Sequence, residues 1–208
     1  MALDVVALKD LLDNYSEESI QRRLEEFNCP LNEDVEFFLW KKAISFEKVS
    51  MARTTLVYAS LKGEMVLVGY FSISNKPMNI GKKNWKRIST SAKKRLIPMG
   101  YRSEQENYVV PGILLGQFAK NSRYKDDDLI QGSELLAIAY KTIKKVWELS
   151  GGSMLYLEAE NEPHLRDFYT HNGFSQLIVR QKETDSKPTI PYVTANGLQL
   201  YIKKLTDL

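Results

Sequence analysis

Apolar positions recur first at helical spacing. Leu3, Val6, Ala7 and Leu11 form one such set, and Ile20, Leu24 and Phe27 form another. Ser16 ahead of Glu17 and Glu18 reads as an N-cap with acids in the first turn, where the positive end of the helix dipole favours them. Pro30 is expected to stop that helix and Asn32 to cap a third, whose broad apolar face holds Val35, Phe38, Leu39, Phe46 and Val49, widened by Trp40 and Ile44. Residues 1–50 therefore read as a helical segment.

From Thr54 the hydrophobic period becomes that of strands. Residues 54–61 and 65–74 are rich in β-formers, and Lys62-Gly63-Glu64 between them predicts an antiparallel hairpin. Trp85, Ile88, Ala92 and Leu96 predict one helix over about 82–96, with Lys82, Lys83, Lys86, Arg87, Lys93, Lys94 and Arg95 on its other face and Pro98 and Gly100 closing it. A strand over 109–120 follows, with Pro111 near its start, where a missing donor does least harm, and residues 121–128 form a polar loop. The next helix, about 133–149, carries Leu135, Leu136, Ala139, Ile143, Val146 and Trp147 on one side and ends at Gly151-Gly152. A short buried strand over 154–159 leads to a helix over 163–172, opened by Pro163 and ended by Gly173. Strands over 174–181 and 198–204 finish the chain, separated by a loop containing Pro188 and Pro191. This order predicts an α/β (α+β mixed) sheet with helices on its faces.

Length and composition narrow the setting. A chain of 208 residues fits a single domain, residues 1–208, with ample material for a core. The single Cys29 excludes an intrachain disulfide, and with His164 and His171 as the only imidazoles no Cys/His zinc site can be assembled, so no metal is expected. A reducing, cytoplasmic compartment is expected. Asp4 and Asp10 interrupt the apolar pattern of the N-terminus, which is neither a secretory leader nor a membrane span, and no membrane association is expected. Monomer and homodimer are both compatible with these totals.

The net charge of +3 conceals an asymmetry: residues 65–103 hold nine Lys/Arg and no Asp or Glu. Such a run is either a solvated helix face or a basic surface for an acidic partner.

Two stretches carry candidate chemistry. The first runs Leu114-Leu115-Gly116-Gln117-Phe118-Ala119-Lys120-Asn121, then a polar loop closing on Gln131-Gly132-Ser133 at a helix start. A helix N-terminus presents unpaired N–H groups and the positive dipole end, which together hold a phosphate without any Lys. A glycine at that place serves equally as an ordinary turn. The second stretch, residues 161–174, places Leu165, Phe168 and Tyr169 on one helix face and returns the chain to a strand through Gly173-Phe174. By spacing alone it also describes a core helix.

Taken together, in this order and separation, the two stretches resemble the GCN5-related N-acetyltransferase family. Residues 114–121 look like its central strand, Asp127 to Gly132 followed by Ser133-Glu134-Leu135-Leu136 like its pyrophosphate loop and helix start, and the L-x-x-F-Y-x-x-x-G-F of residues 165–174 like its late helix. The resemblance covers about residues 54–205, with the basic helix as an insertion. It implies a central, mostly antiparallel twisted sheet of about six to seven strands with helices on both faces.

It also implies acetyl-CoA as co-substrate and an amine acceptor that attacks directly in a ternary complex. Backbone groups of Phe118, Ala119 and Lys120 would pair with the pantetheine arm as an added strand. Amides of Ile130, Gln131, Gly132, Ser133 and Glu134 would hold the pyrophosphate. Asn161 would bond the pantetheine, Phe168 would pack near the cofactor, and Tyr169 would protonate the leaving thiolate as general acid. Glu158 is the candidate base by position, with Glu160 beside it. The loop departs from the family pattern at Asp127 and Ile130, keeping only Gly132; an acid beside a pyrophosphate is unfavourable, and a β-branched Ile resists positive φ. Two alternatives stand beside the enzyme: an acyl-CoA-binding module that has lost catalysis, and, ranked lower, a transferase whose acceptor is linked to a nucleic acid bound by the basic helix.

Overall fold

The computed structural model describes residues 3–182 and 189–208. The chain opens with β1 (Leu3–Ala7), α1 (Leu8–Asn14), α2 (Glu17–Leu24), α3 (Glu33–Phe37), a π-helical turn (Phe38–Lys42) and α4 (Ala43–Lys48), then the hairpin β2 (Arg53–Leu61) and β3 (Glu64–Ser74). β4 (Met78–Ile80), α5 (Lys82–Arg87), α6 (Thr90–Leu96), β5 (Tyr101–Arg102), β6 (Tyr108–Val110) and β7 (Gly112–Lys120) follow. It closes with α7 (Gly132–Ser150), β8 (Met154–Ala159), α8 (Pro163–His171), β9 (Ser175–Gln176), β10 (Ile178–Arg180), β11 (Thr189–Pro191) and β12 (Gln199–Lys204). Among the described residues seven strands join in the order β1-β2-β3-β7-β8-β12-β9; of the pairings with a defined register, only β7 with β8 is parallel. The mixed, mostly antiparallel sheet expected from the sequence is the one observed.

Two compact units share the chain: Met1–Ser74 with Leu115–Ile143, and Asn75–Leu114 with Lys144–Leu208. In the first, β1 pairs antiparallel with β2, setting Val5 opposite Val57 and Val6 opposite Leu56. The helix expected from Leu3 thus begins only at Leu8. Over five residues the apolar spacing fits either period; the β-branched pair and the ladder to β2, which satisfies the backbone groups, decide for strand. Ser16 accepts from the Ser19 amide at 3.3 Å and Asn32 from the Val35 amide at 3.1 Å, so both expected caps form. α2 ends at Leu24, ahead of Pro30, and buried Phe27 follows it. The π turn was not foreseen. Its neighbourhood is tied by the Gln21 amide donating to the Trp40 carbonyl at 2.6 Å and the Trp40 indole donating to the Phe27 carbonyl at 3.0 Å. Val49, expected on the apolar face, lies beyond α4 and is exposed.

The hairpin turns through Lys62 and Gly63, both at positive φ (52° and 88°), the two-residue geometry whose twist matches the strands. Neighbouring residues of β3 then face opposite ways. Tyr70 enters a core with Leu8, Leu24, Phe27 and Leu39, and its hydroxyl donates to the Val35 carbonyl at 2.6 Å. Gly69 faces α7, where an added Cβ would lie 3.0 Å from the Leu135 side chain. Helices therefore pack on both faces of this part of the sheet.

In the second unit Trp85 stacks on Tyr108 with centroids 3.8 Å apart, within a core that includes Ile80, Ile88, Val110 and Val179. The single basic helix expected over 82–96 is two. Ile88 is extended (ψ 137°), fully buried and bridged to Val179, and Ser89 starts α6 afresh by accepting from the Ala92 amide at 3.2 Å. The strand expected over 109–120 is also two: Pro111 cannot donate to a ladder, and the chain leaves β6, in a three-stranded sheet β4-β6-β5, for β7 in the main sheet. Likewise 174–181 divides into β9 and β10 around Leu177, whose amide donates to the Leu200 carbonyl at 2.8 Å while its carbonyl accepts from Tyr192 at 2.7 Å. Pro191 sits in β11, paired with β10; Pro188 lies outside the described residues.

Burial raises the phenol pKa of Tyr58, Tyr70, Tyr108, Tyr156, Tyr169 and Tyr201 above the ordinary value. Below pH ~10 these phenols are protonated in folded and unfolded chains alike and contribute no pH slope. Above it the unfolded chain releases protons first, so stability falls as pH rises toward the folded values. The urea midpoint is expected to drop above pH ~10, with phenolate absorbance growing together with loss of the circular dichroism signal. Full phenolate absorbance in a still-folded protein would contradict this.

Candidate active site

One group of candidate residues lies in the unit that contains the end of β7. The ladder of β7 with β8 covers Gly112, Ile113 and Leu114 opposite Met154, Leu155 and Tyr156, so it ends three residues into a nine-residue strand. β7 continues through Phe118 and Ala119, both half-buried, to exposed Lys120. Asn121 stops it. This side chain, 4% exposed, donates to the Leu67 carbonyl at 2.8 Å and accepts from the amides of Asn28 at 3.0 Å and Arg123 at 3.1 Å. Its own amide donates to the Val68 carbonyl at 2.8 Å. Nothing in a polar run after a strand singles out this asparagine, which by sequence is only the first residue of a polar loop.

The loop from Asn121 to α7 is closed by the Lys120 ammonium, which donates to the Ile130 carbonyl at 3.1 Å. Leu129 and Ile130 are buried, whereas Asp126, Asp127 and Asp128 are exposed. The loop's positive φ falls on Asp128 (49°) rather than on Ile130. Aspartate tolerates that region far better than a β-branched residue, and no positive φ is asked of Ile130. Ile130 serves instead as an apolar anchor.

At the head of α7 the Leu135 amide donates to the Gln131 carbonyl at 3.1 Å, and the Glu134 carboxylate accepts from the Gln131 amide at 2.7 Å, one half of a capping box. The Gln131 side chain donates to the Asp128 carboxylate. Of the five amides assigned to a pyrophosphate, that of Gln131 is therefore already engaged by an anion. Gly132 opens the helix and Ser133 and Glu134 are exposed in its first turn.

A further polar group escaped the sequence reading. Gln117 precedes Phe118 in β7, and its buried Oε1 has no hydrogen-bond partner among the described residues. A buried acceptor without a donor costs roughly 1–3 kcal/mol, a demand that a ligand N–H would meet. Its only sequence signal is a polar residue in an apolar strand.

The other candidate residues lie in the second unit. Glu158 of β8 is half-buried, and its Oε2 accepts from the Thr194 hydroxyl at 3.1 Å and, at the limit of bonding, from the Asn196 amide at 3.5 Å. Glu160 and Asn161 are exposed in the short link from β8 to α8. Pro163 starts α8 as expected, and Gly173 (φ 85°) turns the chain out of it. Tyr169 is buried, with ring centroids 5.2 Å from Phe168, 5.7 Å from Phe174 and 5.5 Å from Tyr201. Burial, with a smaller contribution from Tyr201, holds its phenol protonated well beyond neutral pH. His171 is tied through Nδ1 to the Asp167 carbonyl at 2.7 Å, and His164 is exposed. Among the described residues no cluster of three or more His, Cys, Asp or Glu is placed to hold a metal ion, and no helix is long and apolar enough to cross a membrane.

No protein-family model matches the chain, and no curated protein matches it. Solved structures do. A tyrosine-to-phenylalanine mutant of the AtaT toxin, bound to the C-terminus of the antitoxin AtaR and acetyl-CoA, is 17% identical with a TM-score of 0.60, over 99% of this chain and 94% of that one. AtaT complexed with acetyl-methionyl-tRNAfMet is 19% identical with a TM-score of 0.59, over 99% and 96%. A tyrosine-to-phenylalanine mutant of KacT is 17% identical with a TM-score of 0.62, over 100% and 97%. Identities this low establish the fold: the chain has the architecture of the GCN5-related N-acetyltransferases.

Proposed function

We propose that this protein is an N-acetyltransferase that moves the acetyl group of acetyl-CoA to an amine by direct attack in a ternary complex. The observation that carries the reading is β7, whose β8 ladder ends at Leu114 and which runs on through residues 118–120 to the loop and head of α7, within an acetyltransferase fold. Phe118, Ala119 and Lys120 supply backbone partners for the pantetheine, and the α7 amides of Gly132, Ser133 and Glu134, with that of Ile130, supply donors for the pyrophosphate. Asn161 and Phe168 are assigned to the cofactor through the late-helix motif.

In the reaction the amine nitrogen bonds to the thioester carbonyl carbon, the carbon–sulfur bond breaks, and coenzyme A leaves as a thiolate. Tyr169 is the general acid. Its phenol stays protonated because burial raises its pKa, and it donates to the departing sulfur as charge develops. A thiol, at about 8.5, is the stronger acid of the two, so the proton that completes the thiol comes on net balance from the attacking amine. Glu158, oriented by Thr194, is the proposed base for that proton.

Calorimetry with acetyl-CoA is expected to show saturable binding that tightens about two- to fivefold in Glu134→Gln. The neutral side chain keeps a cap for Gln131 while removing one anion from the helix start, worth roughly 0.3–1 kcal/mol. Absence of binding would sink the cofactor reading. Tyr169→Phe is expected to slow thiol release by about a hundredfold or more with acetyl-CoA affinity little changed. Full activity in that variant would remove Tyr169 from the acid role, and binding without turnover by the unmodified protein would leave an acyl-CoA-binding module.

A second reading concerns the acceptor. Lys83, Lys94 and Tyr101 are exposed on the acid-free stretch 65–103, and one structure of the same fold holds an aminoacylated tRNA. Trp85, by contrast, is core. An RNA-linked amine docked on this surface would bind with a steep salt dependence. Filter binding of tRNA is expected to weaken linearly in log–log form with salt, with the slope shallower by about one for each of Lys83→Glu and Lys94→Glu. Salt-insensitive or undetectable binding would exclude it.

A further inference from the structure

The second unit has a partly open cavity of about 210 Å³ that the acetyl-transfer reading does not use. Its apolar walls include Leu96 at the end of α6, Met99 in the turn that follows it, and Met154 and Ile202 from β8 and β12. Leu96 and Met154 are almost fully buried, so these walls are rigid parts of the unit's core rather than surface side chains. Arg95 and Lys204 also line the space, and among the described residues no aspartate or glutamate does. Neither cation has a carboxylate partner within ion-pair distance among the described residues.

A largely apolar space lined by two cations and, among the described residues, by no carboxylate selects a ligand of matching polarity. An uncharged apolar molecule would fill the walls and leave both cations unpaired; an amine would be repelled by them. The volume sets the size, since a cavity of about 150 Å³ holds one benzene. Roughly six to eight heavy atoms therefore fit here. Arg95 presents a planar fork suited to a carboxylate, and Lys204 a point charge.

We propose that this cavity is a binding site for a small amphiphilic carboxylate, a short-chain or aryl-substituted acid, with its apolar portion against Leu96, Met99, Met154 and Ile202 and its carboxylate held by Arg95 and Lys204. The site is composed wholly of residues of the second unit and does not depend on the acetyltransferase reading.

The test uses the full chain with methionine methyl groups labelled with carbon-13, titrated with hexanoate, 1-hexanol and hexylamine. Hexanoate is expected to bind saturably and to shift the Met99 and Met154 methyl resonances, leaving the other methionines of the chain in place. Hexylamine should not compete, and hexanol should bind at least about tenfold more weakly. Arg95→Gln combined with Lys204→Gln, both outside the packed core, should weaken hexanoate about tenfold while leaving hexanol unchanged. Equal affinity for the three probes, no binding of hexanoate, shifts confined to other methionines, or undiminished hexanoate affinity in the double variant would each overturn the assignment. Acetyl-CoA binding measured on the same sample keeps this outcome separate from that of the catalytic reading.

Discussion

The buried amide of Asn121 governs the geometry at the end of β7 and of the loop that leads to α7. One side chain satisfies the Leu67 carbonyl and the amides of Asn28 and Arg123, while its backbone amide reaches the Val68 carbonyl. These four bonds join β3, the segment after α2 and the loop beyond β7 at one point. They fix where β7 stops and therefore where the loop to α7 must begin. A buried hub of this kind is costly to disturb, because removing it strands several donors and acceptors at once and not merely a single pair. The Lys120 bond to the Ile130 carbonyl then closes the loop that starts there.

The head of α7 shows how the same physics serves structure and ligand in competition. A helix start needs acceptors for its first amides, and Glu134 provides one for Gln131. A bound pyrophosphate would need the same donors and would meet the same carboxylate as a like charge. The neighbouring acids are less of an obstacle than their number suggests, because Asp126, Asp127 and Asp128 are solvated and Asp128 takes up the strained backbone angle. A loop without the usual first glycine can thus still turn onto a helix N-terminus. The carboxylate at the helix start, not the loop conformation, is the feature that separates this chain from an ideal phosphate cradle.

Where the sequence was legible, local and tertiary demands agreed. The turn Lys62-Gly63, the caps at Ser16 and Asn32, the α7 stripe through Leu135, Leu136, Ala139 and Ile143, and the glycine exits at Gly151 and Gly173 each have a chemical cause within a few residues. Where it was not, a distant partner decided. Residues 3–7 became strand because β2 was there to pair with them; the basic helix broke at Ile88 because that side chain has a buried place and a bridge to Val179; and Pro111 divided one apolar run between two sheets. The candidate site followed the same division. Phe118, Ala119, Lys120 and Tyr169 stood out through motif order, whereas Asn121 carried no local signal and Gln117 only that of a polar residue in an apolar strand.

By itself, then, the amino-acid sequence determined the class of architecture, the principal elements, the excess of positive charge over residues 65–103 and the motif order that resembles an acetyltransferase. These are properties of composition and short-range spacing, written wherever backbone propensity and side-chain pattern are read within a turn or a hairpin. Only the tertiary structure decided which carbonyls Asn121 would satisfy, which α7 amide Glu134 would occupy, and that burial would keep Tyr169 protonated. It alone brought Arg95 and Lys204 to one apolar cavity from positions more than a hundred residues apart. Burial and long-range partnership are properties of a closed surface, and a linear pattern does not contain them.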